Sequence, residues 1–180
     1  IYQNSVKTID TKGKTYMDWF GIHDEWSSMY TLYLLNQSML DYGFFEEEIE
    51  QIIPHIASSS KLASWFMKQG NYFSFEHWRY KGIQAEQTYE FKDYHPQVGD
   101  IVFLKDNPQL HRPGPDATAV IYEVEDDFSV HVVWGDGAGR GINNSRVLSA
   151  KFIKENKKFY FEKDKDTYII GVARPDFNIE

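Results

Sequence analysis

The sequence predicts an α+β fold, with helices first and an antiparallel meander after them. Two observations carry that expectation. Helix-like segments bounded by capping residues and glycines fill the chain up to Gly70. From Ile101 onward, short β-branched and aromatic runs are separated by turn signals. There are no internal repeats and no low-complexity tracts.

The elements follow in order. Residues 1–12 are polar and mixed and read as a leader strand or N-terminal arm. Residues 12–21 form an aromatic segment between Gly13 and Gly21, a short helix if Gly21 takes the usual left-handed position past a helix end. The first clear helix covers 24–40, where Trp26, Tyr30, Tyr33, Leu34 and Gln37 fall near helical spacing and Asp24 suits the N-cap. Gly43 ends it. Residues 46–53 make a short acidic amphipathic turn closed by Pro54, its charged run a solvated face. Ser58, Ser59 and Ser60 cap a helix over 61–69, with Leu62, Trp65 and Phe66 inward and Gly70 past its end.

Residues 71–95 are aromatic and polar without a steady period, which predicts a long irregular insertion with at most one short element. Strands are expected at 101–104, after the turn signal at 96–100, and at 118–125 and 128–134, a hairpin around Asp126 and Asp127. A Pro-rich loop covers 107–116 and a Gly-rich loop 135–144. Strands at 158–162 and 168–173 close the chain.

Composition removes several classes. The 180 residues contain no Cys, which excludes disulfides, thiolate zinc sites, iron–sulfur clusters and cysteine catalysis in this chain. Nineteen basic side chains face 27 acidic ones, a net charge of −8 that argues against a nucleic-acid partner. No apolar run approaches the ~18 residues of a membrane span. Hydrophobic residues reach 42% and aromatic ones 17%, a globular composition with an aromatic-lined core or cleft. The first residue is Ile1 rather than Met, so the expectation is a processed form or an excised part of a larger protein.

Four pieces in order resemble one family. They are Gly13-Lys14-Thr15-Tyr16-Met17-Asp18-Trp19-Phe20-Gly21 with Glu25-Trp26-Ser27-Ser28-Met29-Tyr30, and then Ile52-Ile53-Pro54-His55-Ile56-Ala57-Ser58 running to Trp65-Phe66. Next is Pro96-Gln97-Val98-Gly99-Asp100-Ile101-Val102-Phe103. Last come Ala117-Thr118-Ala119-Val120-Ile121, Val132-Val133-Trp134-Gly135-Asp136 and Ile170-Gly171-Val172-Ala173-Arg174-Pro175-Asp176-Phe177. Together they resemble the CHAP family of papain-like amidohydrolases and peptidases, which cut bacterial peptidoglycan. The resemblance covers residues 13–177. It implies one CHAP-like domain over 13–180, in which N-terminal helices pack on a curved antiparallel sheet. It also implies a secreted or cell-surface location.

The family's chemistry needs a Cys at a helix N-terminus, where the dipole lowers the thiol pKa, a His base on the facing strand, and a polar residue to orient the imidazole. Backbone N–H groups at the helix start hold the oxyanion. The resemblance aligns the Cys with Ser27, the His with Ala117, and the Glu and Asn of a Glu-Gly-Asn motif with Trp134 and Asp136. All four differ. A serine hydroxyl without a base is a weak nucleophile at neutral pH, and Ala117 supplies none.

The expectation is therefore a catalytically degenerate domain, a pseudoenzyme, with a remodelled cleft around Trp26, Ser27, Ser28, Trp134 and Asp136. It would bind peptidoglycan, a peptide or a protein, or serve as a structural module. The alternative is a peptidoglycan amidase or endopeptidase. It would either carry an inactivating Cys-to-Ser change at Ser27, or use Ser27 with a displaced base, His111 first among His23, His95, His111 and His131. Ser27 also has a plain reading as a helix-start Ser. A calcium site of Asp136 with Asp116, or with Asp126 and Asp127, lacks a spaced ligand motif, and turn roles suit these residues better. The glycines of residues 135–141 match no nucleotide-binding spacing, so no cofactor or metal is expected.

Overall fold

The computed structural model describes residues 1–88, 93–106, 113–136, 146–155 and 157–178. Five helices come first: α1 (Tyr2–Thr8), α2 (Lys14–Phe20), α3 (Ser27–Tyr42), α4 (Glu46–Ile52) and α5 (Ser59–Lys68). Nine strands follow: β1 (Tyr72–Ser74), β2 (Trp78–Tyr80), β3 (Ile83–Ala85), β4 (Ile101–Lys105), β5 (Ala117–Val124), β6 (Val130–Trp134), β7 (Leu148–Glu155), β8 (Lys158–Phe161) and β9 (Asp164–Ala173). The architecture is α+β.

Local chemistry sets the helix ends. Gly21 and Gly43 sit in the left-handed region at φ 72° and 100° and close α2 and α3. The N–H of Phe45 donates to Glu48 Oε2 at 2.7 Å, which opens α4 and puts an acid on its positive end. Ser58 Oγ accepts from the N–H of Lys61 at 3.4 Å, so Ser58 is the N-cap of α5.

Three segments depart from the sequence expectation. The polar stretch expected as a strand or arm carries helix α1. It has no apolar stripe to announce it and is tied down by polar contacts. Thr8 Oγ1 lies 2.7 Å from Tyr30 Oη, and Asn4 Nδ2 donates to Asp41 Oδ2 at 2.9 Å. The segment read as an irregular insertion holds three short strands. β1 pairs with β9, and β2 and β3 form a hairpin. Lys81 and Gly82 turn that hairpin with φ 47° and 80°, the positive values of a tight two-residue turn. Three-residue strands are too short to show a period. Lastly, β7 occupies a segment to which the sequence reading assigned no element. Its inward residues are Ala150 and Phe152, and its other face carries Lys151.

The main sheet runs β1-β9-β4-β5-β6-β7-β8, and β8 also pairs with β9. That second pairing curls the sheet into a barrel-like form. Its two faces bury two cores. Ile101, Phe103, Val120, Val133 and Ile170 face the helices. Val102, Leu104, Ile121, Val132, Phe152 and Phe159 fill the barrel interior. Alternation along β4, β5 and β6 is the period-two pattern of a sheet buried on both sides.

The turn before β4 is locked by its Asp. Asp100, 1% exposed, accepts from Arg174 Nε at 2.8 Å, from Arg174 Nη2 at 2.9 Å, from Tyr94 Oη at 2.7 Å and from the N–H of Gln97 at 2.9 Å. A buried carboxylate is tolerated because each oxygen is satisfied and the charge is paired. Burial, reinforced by the Asp100 charge, pushes the Tyr94 phenol well above its usual range.

Candidate functional site

The N-terminus of α3 is the centre of the site, and the sheet reaches it through two strand ends. Trp26, the N-cap residue, is fully buried. Its ring stacks on Tyr16 at 5.4 Å and meets Tyr30 edge-on at 6.3 Å. Gly13 lies against the indole on one side. Gly135 lies on the other, where a Cβ would fall 2.6 Å from Tyr30 Cβ and 2.8 Å from the Trp26 ring. Only a residue without a side chain lets β6 end so close to α3.

Trp26 offers no capping side chain, and Asp24 does not cap α3 as expected. Asp24 Oδ1 instead accepts from the N–H of Glu25 at 2.8 Å. Asp136 contributes from outside the helix. Its Oδ2 accepts from the N–H of Trp26 at 3.4 Å. A carboxylate at the positive end of a helix is favoured by the dipole as well as by the bond.

Ser27 and Ser28 follow at the helix start. Both are buried, at 6% and 1% exposure. Ser27 Oγ accepts from the N–H of Thr118, the second residue of β5, at 3.4 Å. Thr118 Oγ1 lies 3.3 Å from Ser28 Oγ and 3.0 Å from Thr31 Oγ1. Ser28 Oγ lies 3.0 Å from Ser59 Oγ, in the first turn of α5. A line of hydroxyls thus runs from α5 through α3 to β5. Such a network fixes the two helix starts against the strand.

Ala117 and Trp134 share the opposite face of the sheet, inside the barrel. Trp134 pairs with Ala119 in the β5–β6 register, and Ala117 is the next residue of β5 on that face. On the β5 side the indole is met by two alanines; on the other side Trp134 pairs with Leu148 of β7, and its ring stands edge-on to Phe161 at 6.4 Å. Trp134 is 5% exposed, and its indole N–H is buried with no acceptor among the described residues.

The fold thus sets Ser27 and Asp136 at the start of α3, while Ala117 and Trp134 turn their side chains into the barrel. It brings no described imidazole to Ser27. His131 Nε2 is 2.6 Å from Glu125 Oε1, and His77 Nδ1 is 3.0 Å from Glu86 Oε2. His55 stacks on Phe20 at 3.8 Å, and His95 stands edge-on to Phe128 at 5.6 Å. His23 is exposed in the loop before α3. His111 lies outside the described residues, as does the Gly-rich loop beyond Asp136.

The calcium reading finds no ligand set. Asp116 is 3.1 Å from Lys105 Nζ, and Asp127 Oδ1 accepts from the N–H of Ser129 at 2.8 Å. Among the described residues no group of three or more His, Asp or Glu is placed to hold an ion.

An open cleft of about 450 Å³ lies over the helix start. Ser27 lines it with Ser59 and Ser60 of α5. Lys61, and Tyr80 and Lys81 from the β2–β3 hairpin, complete another part of the wall. Asp24 and Glu25 line it from the α2–α3 loop, and Asp116 from the approach to β5. The α5 and hairpin residues escape sequence reasoning. The serine triplet reads only as a cap, and nothing local shows that a hairpin folds back over α3. Of the residues expected in the cleft, Ser27 lines it, and Trp26, Ser28, Trp134 and Asp136 do not. Comparison with protein-family models, with curated proteins and with solved structures finds no match.

Proposed function

We propose that this chain is a catalytically degenerate CHAP-like domain of papain-like type that binds at the bacterial cell surface and does not cut. The observation that carries the reading is spatial. Two of the positions aligned by resemblance with one catalytic machine, Ser27 and Asp136, stand at the start of α3, while the other two, Ala117 and Trp134, turn their side chains into the barrel. The groups now present cannot perform its chemistry. Ser27 Oγ faces a backbone N–H rather than a base, Ala117 carries no proton acceptor, and Trp134 supplies no acid and lies inside the barrel. Asp136 caps the helix.

What remains is a cleft with paired helix starts, hydroxyls and both signs of charge, suited to a polar peptide ligand. Peptidoglycan is the ligand that the resemblance favours. The test is incubation of the protein with purified insoluble peptidoglycan. The expected outcome is co-sedimentation without release of soluble fragments. Release by the unaltered chain would overturn the reading, and so would a protein that stays wholly in the supernatant.

A further inference from the structure

The helix starts that meet beside Ser27 leave several backbone donors without an intrahelical acceptor. Ser58 caps the N–H of Lys61, and the next backbone N–H of α5 bonds the Ser58 carbonyl from Leu62 at 2.8 Å. The N–H groups of Ser59 and Ser60 therefore have no intrahelical acceptor. The same holds for the N–H groups of Ser27 and Ser28 at the start of α3. Ser28 Oγ and Ser59 Oγ, 3.0 Å apart, bring the two positive helix ends together.

An independent observation lies in the side chains. Ser60 lines the cleft, is only 6% exposed, and its hydroxyl has no partner among the described residues. Lys61 and Lys81 line the same cleft, and neither forms an ion pair among the described residues. The positive φ of the β2–β3 turn holds Lys81 at that rim, 5.2 Å over the Tyr80 ring.

We propose that the junction of the α3 and α5 N-termini is a carboxylate-binding subsite, which takes the free C-terminal carboxylate of a short peptide. The N–H groups of Ser59 and Ser60 and the Ser60 hydroxyl donate to its oxygens, and Lys61 and Lys81 supply the counter-charge. The remaining wall selects against a multiply charged anion. Asp24 and Glu25 bring negative charge to the cleft, which a phosphate dianion would meet at greater cost than a carboxylate. This inference deepens the binding reading and rests on it, because the cleft is the same.

Calorimetric titration of the whole chain with N-acetyl-alanyl-alanine, its C-terminal amide and inorganic phosphate tests the proposal, beside the sedimentation assay. The carboxylate is expected to bind at least about tenfold more tightly than the amide, the size of one charge-assisted contact. That preference should shrink at high salt and vanish in a Lys61→Gln, Lys81→Asn variant; both lysines are exposed, and Asn suits the turn. Ser60→Ala should weaken carboxylate binding several-fold. Equal affinity for acid and amide, no binding of either, or tighter binding of phosphate overturns the subsite. Peptidoglycan sedimentation without carboxylate preference leaves the binding function standing and removes this inference. Carboxylate preference without sedimentation does the reverse.

Discussion

The backbone N–H of Trp26 donates to the carboxylate of Asp136 across 3.4 Å and joins the start of α3 to the end of β6. One contact therefore caps a helix and ties the end of β6 to it. Asp136 sits at φ 66°, a backbone region that Asn and Asp tolerate better than Ala. Asp136→Ala is expected to lower stability by about 1 kcal/mol, the ordinary worth of an N-cap. Asp136→Asn should cost less, since it keeps an acceptor and the backbone preference and gives up only charge. Urea denaturation of the two variants checks the order.

Gly135→Ala should be more damaging than its size suggests. The added methyl would stand 2.6 Å from Tyr30 Cβ and 2.8 Å from the Trp26 ring, both buried. Overpacking of this kind costs about 1–3 kcal/mol. Chemical denaturation reads the loss, and near-ultraviolet circular dichroism should show the Trp26–Tyr16–Tyr30 cluster disturbed.

Trp134→Ala removes a ring that is 5% exposed and packed between the alanines of β5, Leu148 and Phe161, and leaves a cavity among them. Its expected cost is roughly 3–5 kcal/mol, the range for deleting a buried aromatic ring. No hydrolysis should appear in this variant, because removing the indole creates no base beside Ser27. A thermal melt and a peptidoglycan release assay check the two halves.

Alkaline pH should unfold the protein through its buried phenols. Burial is the leading cause that raises Tyr16, Tyr30, Tyr72 and Tyr94 above the ordinary tyrosine range. A phenol whose pKa is higher folded than unfolded contributes its full stability below the unfolded pKa of ~10. That contribution is lost as pH rises toward the folded value. Stability should thus fall steadily above roughly pH 10. Tyrosinate absorbance should rise in two stages, exposed phenols first and buried ones with unfolding. A single smooth titration of all tyrosines in the folded state would contradict the burial of these four.

The parts of the fold legible in the sequence were those with a local physical signal. Gly21 and Gly43 mark helix ends because they take left-handed backbone, and Ser58 marks a start because its hydroxyl caps. The β5–β6 hairpin shows because its residues alternate between two apolar faces. Helix α1 is hidden because polar contacts hold it, through Thr8 and Asn4. Of the residues that line the cleft, Ser27 was nameable from the sequence. Asp136 as a distant cap of Trp26 was not, since 110 residues separate the partners. Nor was the place of Ser60, Lys61 and Lys81 on the cleft wall, which depends on α5 and a short hairpin meeting α3 in space.

The central claim is that the cleft beside Ser27 holds a ligand and does not cut it. Amide chemical-shift mapping with soluble peptidoglycan fragments tests both halves in one sample. The account expects shifts concentrated at Ser27, at Ser59 through Lys61 and at Lys81, with fragment signals unchanged over time. New product signals would contradict the loss of catalysis, and shifts confined to another face would contradict the cleft.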